Sequence, residues 1–490
     1  MNRLPPKWRA ARTEWLRGAC LPIVAALAAC STGAPPYAPP TAAAPASFKE
    51  APAADATWFP AAPADALDRG PWWQLFGDPT LTALAERVEV SNQNVAAAVA
   101  NYAQAQALVR QDRAALFPSV NLNGSANRSG GPGSAGKATS SQLNLGASWE
   151  PDLWGTLRQG VSSMQASAQI SAANLAAARL SAQAALATNY FSLREADNEI
   201  ALLGAAVAGY ERSLRITQNQ YNAGIAQRTD VLEAQVQLAT TRANLTAMRG
   251  QRALLEHAIA LLVGQAPGEF SIAAADWKAT VPPVPLLLPS DLLQRRPDIA
   301  AAERAVAVAN ANIGIQRSAY FPSMSLSASA GSASGSLASL FRSSANLWSL
   351  GLTASQTIFD AGAIQARVEG AQAARDAAVA NYRQAVLNAF GAVEDQLATS
   401  RSLAEQEGQR RAASADADRT EQLTLNQYLQ GQVPYTSVVA AQVTALGARQ
   451  TLSQLMSSRQ ASAIALIQAL GGGWHMPGYV PEAAEAKTPR

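Results

Sequence analysis

The chain has 490 residues, room for two to four ordinary domains, yet only 6% are aromatic and the 48% hydrophobic fraction leans on alanine. Its formal charge of +3 is concentrated at the N-terminus, where residues 1–29 carry Arg3, Lys7, Arg9, Arg12 and Arg17 against Glu14 alone; the remainder therefore sits at about −1. That balance argues against nucleic-acid binding.

Residues 1–29 read as a secretory signal: a basic n-region, then an apolar stretch from Ala19 to Ala29 too short to span a bilayer as a helix. It ends Leu27-Ala28-Ala29-Cys30, which resembles the lipobox of bacterial lipoproteins, so Cys30 is expected to become an acylated first residue. Ser31 follows where an aspartate would favour retention in the inner membrane, and this suggests sorting to the outer membrane. Cys20 leaves with the signal, so no thiol remains for a disulfide, a metal site or redox chemistry. No cofactor is expected beyond the covalent lipid on Cys30. After Cys30 no apolar run reaches transmembrane-helix length, so any membrane crossing must use strands.

Residues 30–66, rich in alanine and proline, read as a lipidated tether. Thirteen prolines precede residue 80 and more cluster between 267 and 297, whereas 152–266 and 323–433 hold none. Proline costs about 3 kcal/mol inside a helix, so the empty stretches are where long helices can run. Leu116-Phe117-Pro118-Ser119 recurs as Tyr320-Phe321-Pro322-Ser323, and Trp149 to Gly155 is echoed by Phe359-Asp360-Ala361-Gly362. Tyr221-x-x-Gly224, leading to Asp230 and Gln235, is echoed 207 residues later by Tyr428-x-x-Gly431, leading to Ser437 and Gln442. These landmarks predict two copies of one helix–strand–strand–helix–helix unit, over 67–266 and 290–472, joined by a linker at 267–289 and followed by a tail at 473–490.

Within each unit the hydrophobic period switches. Val120, Leu122, Gly124 and Ala126 alternate with serines and asparagines, as do Leu143, Leu145, Ala147 and Trp149, predicting strands at about 118–128 and 142–150. Met324, Leu326, Ala328 and Ala330, then Leu350, Leu352, Ala354 and Ile358, predict a second pair at about 322–331 and 349–359. Each run is near the length a tilted strand needs to cross a bilayer. Four strands cannot close a barrel, and an open edge in lipid leaves backbone groups unsatisfied, so chains must pool their strands; two chains would give eight and three twelve. Further on, Leu186, Leu193, Ile200, Val207, Leu214 and Tyr221 recur every seven residues, with Ala196, Leu203 and Tyr210 three positions later, predicting a rod from Thr156 to Tyr221 about 100 Å long. A second rod is expected from Ala361 to Asn426, with Gly224 and Gly431 past the rod ends and helices returning over 227–263 and 433–470.

Enzymatic motifs fail on inspection. Gly131-x-x-x-x-Gly136-Lys137 places Ala138 where a phosphate loop needs Ser or Thr, and Ala333 stands at the serine position of a nucleophile elbow between Gly331 and Gly335. His257 and His475 lack partners at ligand spacing. No enzyme activity is expected.

Arg295-Arg296-Pro297-Asp298-Ile299 suits a helix start. Taken with Trp72-Trp73-x-x-Phe76-x-Asp78-Pro79, the Phe-Pro-Ser corners, Trp149-Glu150-x-Asp152-Leu153-Trp154-Gly155 and the Gly224 to Gln235 segment, it resembles the outer-membrane factor family of the TolC and NodT type, from about residue 70 to 475. The resemblance implies a mixed α/β membrane protein. It would be a homotrimer with a twelve-stranded transmembrane β-barrel, four strands per chain, continuing into a twelve-helix periplasmic α-barrel. A collar would take 55–77, 264–289 and the tail. The implied function is the exit duct of a tripartite pump for small molecules, fed by an inner-membrane transporter through a periplasmic membrane-fusion adaptor, in outer-membrane lipid. A duct for secreted polypeptides, or a lipid-anchored periplasmic scaffold without a pore, are the alternatives. Tyr221, Arg228, Asp230, Glu233 and Tyr428 lie around the two glycine turns. They read either as solvated charges near a loop or, by the resemblance, as the iris that shuts the tunnel. Val433, Ser437 and Ala440 stand where the TolC type carries gate charges, which points the gate toward Asp230 and apolar contacts.

Overall fold

The computed structural model describes residues 35–45, 47–50, 71–129, 138–277, 279–284 and 296–472. The expected signal, Cys30, the loop 130–137, Arg295, His475 and the tail lie outside them. Among the described residues, seven helices and four strands run in the order α1 (Pro79–Ser91), α2 (Gln93–Ala114), β1 (Ser119–Ser129), β2 (Ala138–Trp149), α3 (Thr156–Asn222), α4 (Arg228–Leu262), α5 (Pro297–Ser318), β3 (Ser323–Ser334), β4 (Asn346–Ser355), α6 (Ala363–Leu429) and α7 (Tyr435–Ala469). No described helix is long and apolar enough to cross a membrane. The chain divides into two units, one built around the strands (1–41, 103–170 and 302–382) and one of helices (42–102, 171–301 and 383–490).

In the strand unit all four strands form one antiparallel sheet in the order β1-β2-β3-β4, so β1 and β4 are its edges. Leu122 pairs with Leu145, Leu145 with Ala330 and Trp149 with Leu326, while Asn123 pairs with Asn144 and Ser329 with Ser349. Because side chains alternate along a strand, this register gathers the leucines apart from Leu347 on one face and most of the serines and asparagines on the other. The apolar face is open: Leu122 is 67% exposed, Leu350 71% and Trp348 82%.

The return strand ends earlier than its hydrophobic pattern suggests. Ile358 lies outside β4, which stops at Ser355. Beyond it the Asp360 carboxylate accepts the backbone N–H groups of Gly362 (3.0 Å) and Ile364 (2.7 Å), bending the chain into α6. Ala361 and Gly362 there have φ of 53° and 88°, so neither belongs to the helix that was expected to begin at Ala361. Asp152 does the same ahead of α3, accepting from Leu157 (3.1 Å) and Arg158 (3.0 Å) next to Gly155 at φ 81°. Trp154 locks this corner: its indole donates to the Pro322 carbonyl at 2.6 Å and stacks on Phe321 at 4.9 Å. In the stretch read as tether, the Asn310 side chain donates to the Pro35 carbonyl (2.9 Å) and Tyr37 donates to the Glu303 carboxylate, so residues 35–37 lie along α5.

The helical unit has its core where the tandem tryptophans pack. Trp72, Trp73 and Phe76 are buried with Leu81, Val88, Leu186, Tyr190, Leu193, Ile259 and Ile464. Asp78 caps α1, accepting from Thr80 (2.8 Å) and Leu81 (3.1 Å), with Pro79 in the first turn; its second oxygen takes the Tyr190 hydroxyl at 2.7 Å. Arg194 and Arg252 both pair with the buried Asp197, at 3.0 and 2.6 Å. They also donate to the carbonyls of Ala273 (2.8 Å) and Ile272 (2.6 Å), fastening the linker to α3 and α4.

The rods match each other closely. α3 and α6 are both 67 residues long and α4 and α7 both 35, and each starts 207 residues after its counterpart. Glu211–Arg242 (2.7 Å) and Asp418–Arg449 (2.8 Å) are ion pairs at the same offset. The two lines of the seam expected on α3 divide in their burial. Leu186 and Leu193 are buried, Ile200, Val207 and Leu214 only half so, and Tyr221 is 37% exposed. The companion line expected three positions on, Ala196, Leu203 and Tyr210, is buried and continues to Thr217. The packing partner changes there from the tryptophan core to α7, to which Asn198, Tyr210 and Ser213 bond through Ser453 and Gln442.

Candidate gate at the two glycine turns

Each rod ends in the same backbone device. At the first, Gly224 N–H bonds to the Tyr221 carbonyl (2.9 Å) and Ile225 N–H to Gln220 (2.8 Å); at the second, Gly431 bonds to Tyr428 (2.9 Å) and Gln432 to Gln427 (2.9 Å). The six-to-one bond with a left-handed glycine, φ 77° at Gly224 and 71° at Gly431, is the Schellman ending that satisfies the last carbonyls. A side chain at either glycine would meet no atom, so the requirement is conformational and not one of space.

Past the glycines the two turns diverge. In the first turn Gln227 caps α4 in a capping box, and its backbone N–H is accepted by Asp230 at 3.3 Å. Asp230 is therefore occupied as a helix cap. Arg228, the first helical residue, is exposed, as is Tyr221. Glu233, one turn further, is half-buried, and its Oε2 is buried without a hydrogen-bond partner. Among the described residues Arg228, Asp230 and Glu233 form no ion pair, so the charges expected to lock the tip are not brought together within one chain.

The second turn is closed by aromatic packing. Tyr428 is buried, donates to the Gln220 side chain from the first rod, and lies 5.3 Å from the Tyr435 ring. Tyr435 and Val438 are almost fully enclosed, with Ala234 from α4 completing the cluster and Leu214, Ile216 and Val433 packed around it. Ser437 is half-buried and Ala440 exposed. Burial pushes the Tyr435 phenol up to about 12, with Tyr428 and Glu233 adding to the effect and a hydrogen bond with Thr217 opposing it. Burial raises Tyr428 as well, against its hydrogen bond with Thr217 and with help from Asp230. Both phenols stay neutral donors at physiological pH. The structure thus joins Tyr428 to Gln220, Thr217 and Tyr435, three residues the sequence pattern does not single out. Tyr435 has one retrievable signal, its position directly after Pro434 at the start of the returning helix.

A family model described as outer membrane efflux protein matches residues 84–265 and 288–472, most of the chain and both glycine turns. The chain belongs to the outer membrane efflux protein family. This efflux protein is 31% identical over 476 residues to a probable efflux pump outer membrane protein, TtgC, of Pseudomonas putida, covering 93% of this chain and 96% of that one. It is 30% identical over 415 residues to the cation efflux system protein CusC of Escherichia coli, covering 84% and 90%. Its fold superposes on the outer-membrane channel OprN with a TM-score of 0.80 at 29% identity, over 90% of this chain and 99% of that structure. The efflux protein accordingly resides in the outer membrane as an efflux channel, and the family is one of transport ducts.

Proposed function

We propose that this efflux protein works as a homotrimer, the passive exit duct of a tripartite pump that exports small molecules. The observation that carries the proposal is the open sheet. Its one apolar face suits lipid, but its β1 and β4 edges carry unpaired backbone groups that a bilayer does not tolerate singly. Three copies joined edge to edge give a closed twelve-stranded barrel with the polar face inward. The half-buried flank of Ile200, Val207 and Leu214 on α3 supports the same assembly, since a neighbouring chain's helices can cover it in a twelve-helix periplasmic tunnel. The equal rods, the shared 207-residue offset and the equivalent ion pairs support an internal duplication, with domains divided as the sequence predicts. Acylation of Cys30 anchors the chain to outer-membrane lipid, and the tunnel tip receives a membrane-fusion adaptor that brings substrate from an inner-membrane transporter.

At the tip, Tyr428 and Tyr435 hold one helix pair together, while Tyr221, Arg228, Asp230 and Glu233 present the polar groups through which neighbouring pairs close the entrance. The cation and toluene exporters among the relatives leave the cargo class open between metal ions and organic compounds. Detergent-corrected mass of the protein extracted from outer membranes tests the assembly. Three chains per particle is the expected result, and a clean monomer would remove the pore from this reading.

A further inference from the structure

The strand section carries charge of one sign only. Residues 119–149 and 323–359, the four strands with their connections, hold no aspartate or glutamate and three basic residues, Arg128, Lys137 and Arg342. Arg128 stands next to the loop end of β1 and Arg342 lies just before β4 in the connection from β3, while Lys137 belongs to the loop outside the described residues. Arg128 and Arg342 are exposed, and neither forms an ion pair among the described residues. At the opposite ends, where the strands join helices, charges of both signs occur and pair, as Asp152 does with Arg158 at 2.9 Å. The leucine face of the sheet also changes character toward the loops. On the loop side of the row Leu122, Leu145, Ala330 and Trp348, Leu143 is the last leucine, and Arg128, Thr139, Ser332, Ser334 and Asn346 make up most of the rest. A guanidinium facing lipid is unfavourable at mid-membrane but tolerated near the interface, and an exposed tryptophan favours that same level.

We propose that Arg128 and Arg342 bind the phosphates of lipid A, the glycolipid of the outer leaflet, and that the site forms at the seam between two copies of the chain. The proposal rests on the barrel reading, which turns the leucine face to lipid and the loops to the cell exterior. β1 and β4 are the two edges of the sheet, so closing the barrel sets β1 of one copy beside β4 of the next. Arg128 from one copy and Arg342 from its neighbour then come to the same seam. A guanidinium donates two parallel hydrogen bonds to a phosphate and keeps its charge at any physiological pH. With no carboxylate in the strand section to compete, the lipid phosphate is the anion that meets these two groups. A lipid held in this way ties adjacent copies together where the hydrogen-bonded seam ends.

The full-length protein is extracted from outer membranes, washed free of co-purified lipid in detergent, and titrated with bisphosphorylated lipid A or with its dephosphorylated form while native mass spectrometry counts chains and lipids per particle. The wild type is expected to bind the bisphosphorylated form, and the double variant Arg128→Gln with Arg342→Gln to bind it more weakly by about tenfold or more. Arg383→Gln, which removes an exposed arginine from α6, should leave the binding unchanged. Dephosphorylated lipid A should bind the wild type and the double variant alike, and more weakly than the bisphosphorylated form binds the wild type. Trimers in which the double variant binds bisphosphorylated lipid A as tightly as the wild type overturn the proposal, as does an equal loss in Arg383→Gln or equal binding of the dephosphorylated lipid to the wild type. Wild-type particles of a single chain instead overturn the barrel reading beneath it.

Discussion

At Gly224 the chain turns into a helix whose first turn is held by polar side chains, Gln227 and Asp230; at Gly431, 207 residues on, the same hydrogen-bonded turn leads into a helix held by two tyrosine rings. Pro434 occupies the position of Gln227 and offers no side-chain cap, and Tyr435 replaces Arg228. The backbone of the two turns is set by one left-handed residue and by helix length, neither of which depends on the chemistry around it. Once that geometry is fixed, the attached side chains can diverge: one turn is buried and stabilised, the other exposed and charged.

The largest effect that would break this comparison is at the aromatic turn. Tyr435→Ala removes a ring that is 2% exposed, at a cost of about 3 kcal/mol. Hydrogen exchange of the amides around Tyr428 and Val438 should accelerate strongly. Tyr221→Ala, at the equivalent of Tyr428 but 37% exposed, should change exchange around Gly224 little, within about 0.5 kcal/mol. Equal effects at the two turns would mean that the asymmetry does not exist in the assembled protein.

A smaller change separates two roles for Asp230. As a cap it contributes about 1 kcal/mol to the start of α4, so Asp230→Ala should loosen residues 227–231 in exchange. As a gate residue it should in addition raise the closed-state conductance of the reconstituted channel. Looser amides with unchanged conductance would confine Asp230 to capping and shift the polar closure to Arg228 and Glu233.

Much of the architecture was legible because it rests on periodicity and on single decisive residues. Alternation placed the four strands to within a few residues, and the glycines marked both turns. The mistakes came where a pattern outlasted the structure carrying it. Ile358 continues the alternation of β4, but the Asp360 carboxylate draws the backbone away first. On α3 the predicted seam divides: its companion line, Ala196, Leu203 and Tyr210, is buried as the spacing suggests, while Ile200 to Tyr221 stays more open, because burial within one chain follows the partner helix. At the tip, the tyrosines at 221 and 428 look alike in sequence. Which one is buried depends on Gln220, Thr217 and Val438, residues that come near Tyr428 only after folding. The Arg194–Asp197–Arg252 network was out of reach for the same reason, since its carbonyl acceptors lie in a linker whose path no local signal gives.

The smallest expected effect compares the ion pairs above the two turns. Glu211–Arg242 is an exposed pair, with side chains 39% and 56% accessible, whereas Arg449 bridges Asp418 and Glu421 in a more enclosed setting. Glu421 lies 3.0 Å from Arg449, yet its carboxyl is shifted above the usual 4.5: burial raises it, Asp418 adds to the shift, and Arg449 offsets them only in part. The sign follows from that direction. Below 4.5 the group is protonated in both folded and unfolded chains and costs nothing; as pH rises through 4.5 the unfolded chain ionises first, so stability falls until the folded carboxyl has also ionised. Glu421→Gln should therefore be neutral to slightly stabilising at pH 7, with the difference vanishing in acid, despite removing an ion pair that is well formed in the structure. Thermal unfolding of the variant at pH 7 and below pH 4.5 reads this out. A clear loss of stability at pH 7 would show that Arg449 outweighs burial and that the second rod is held by its charges after all.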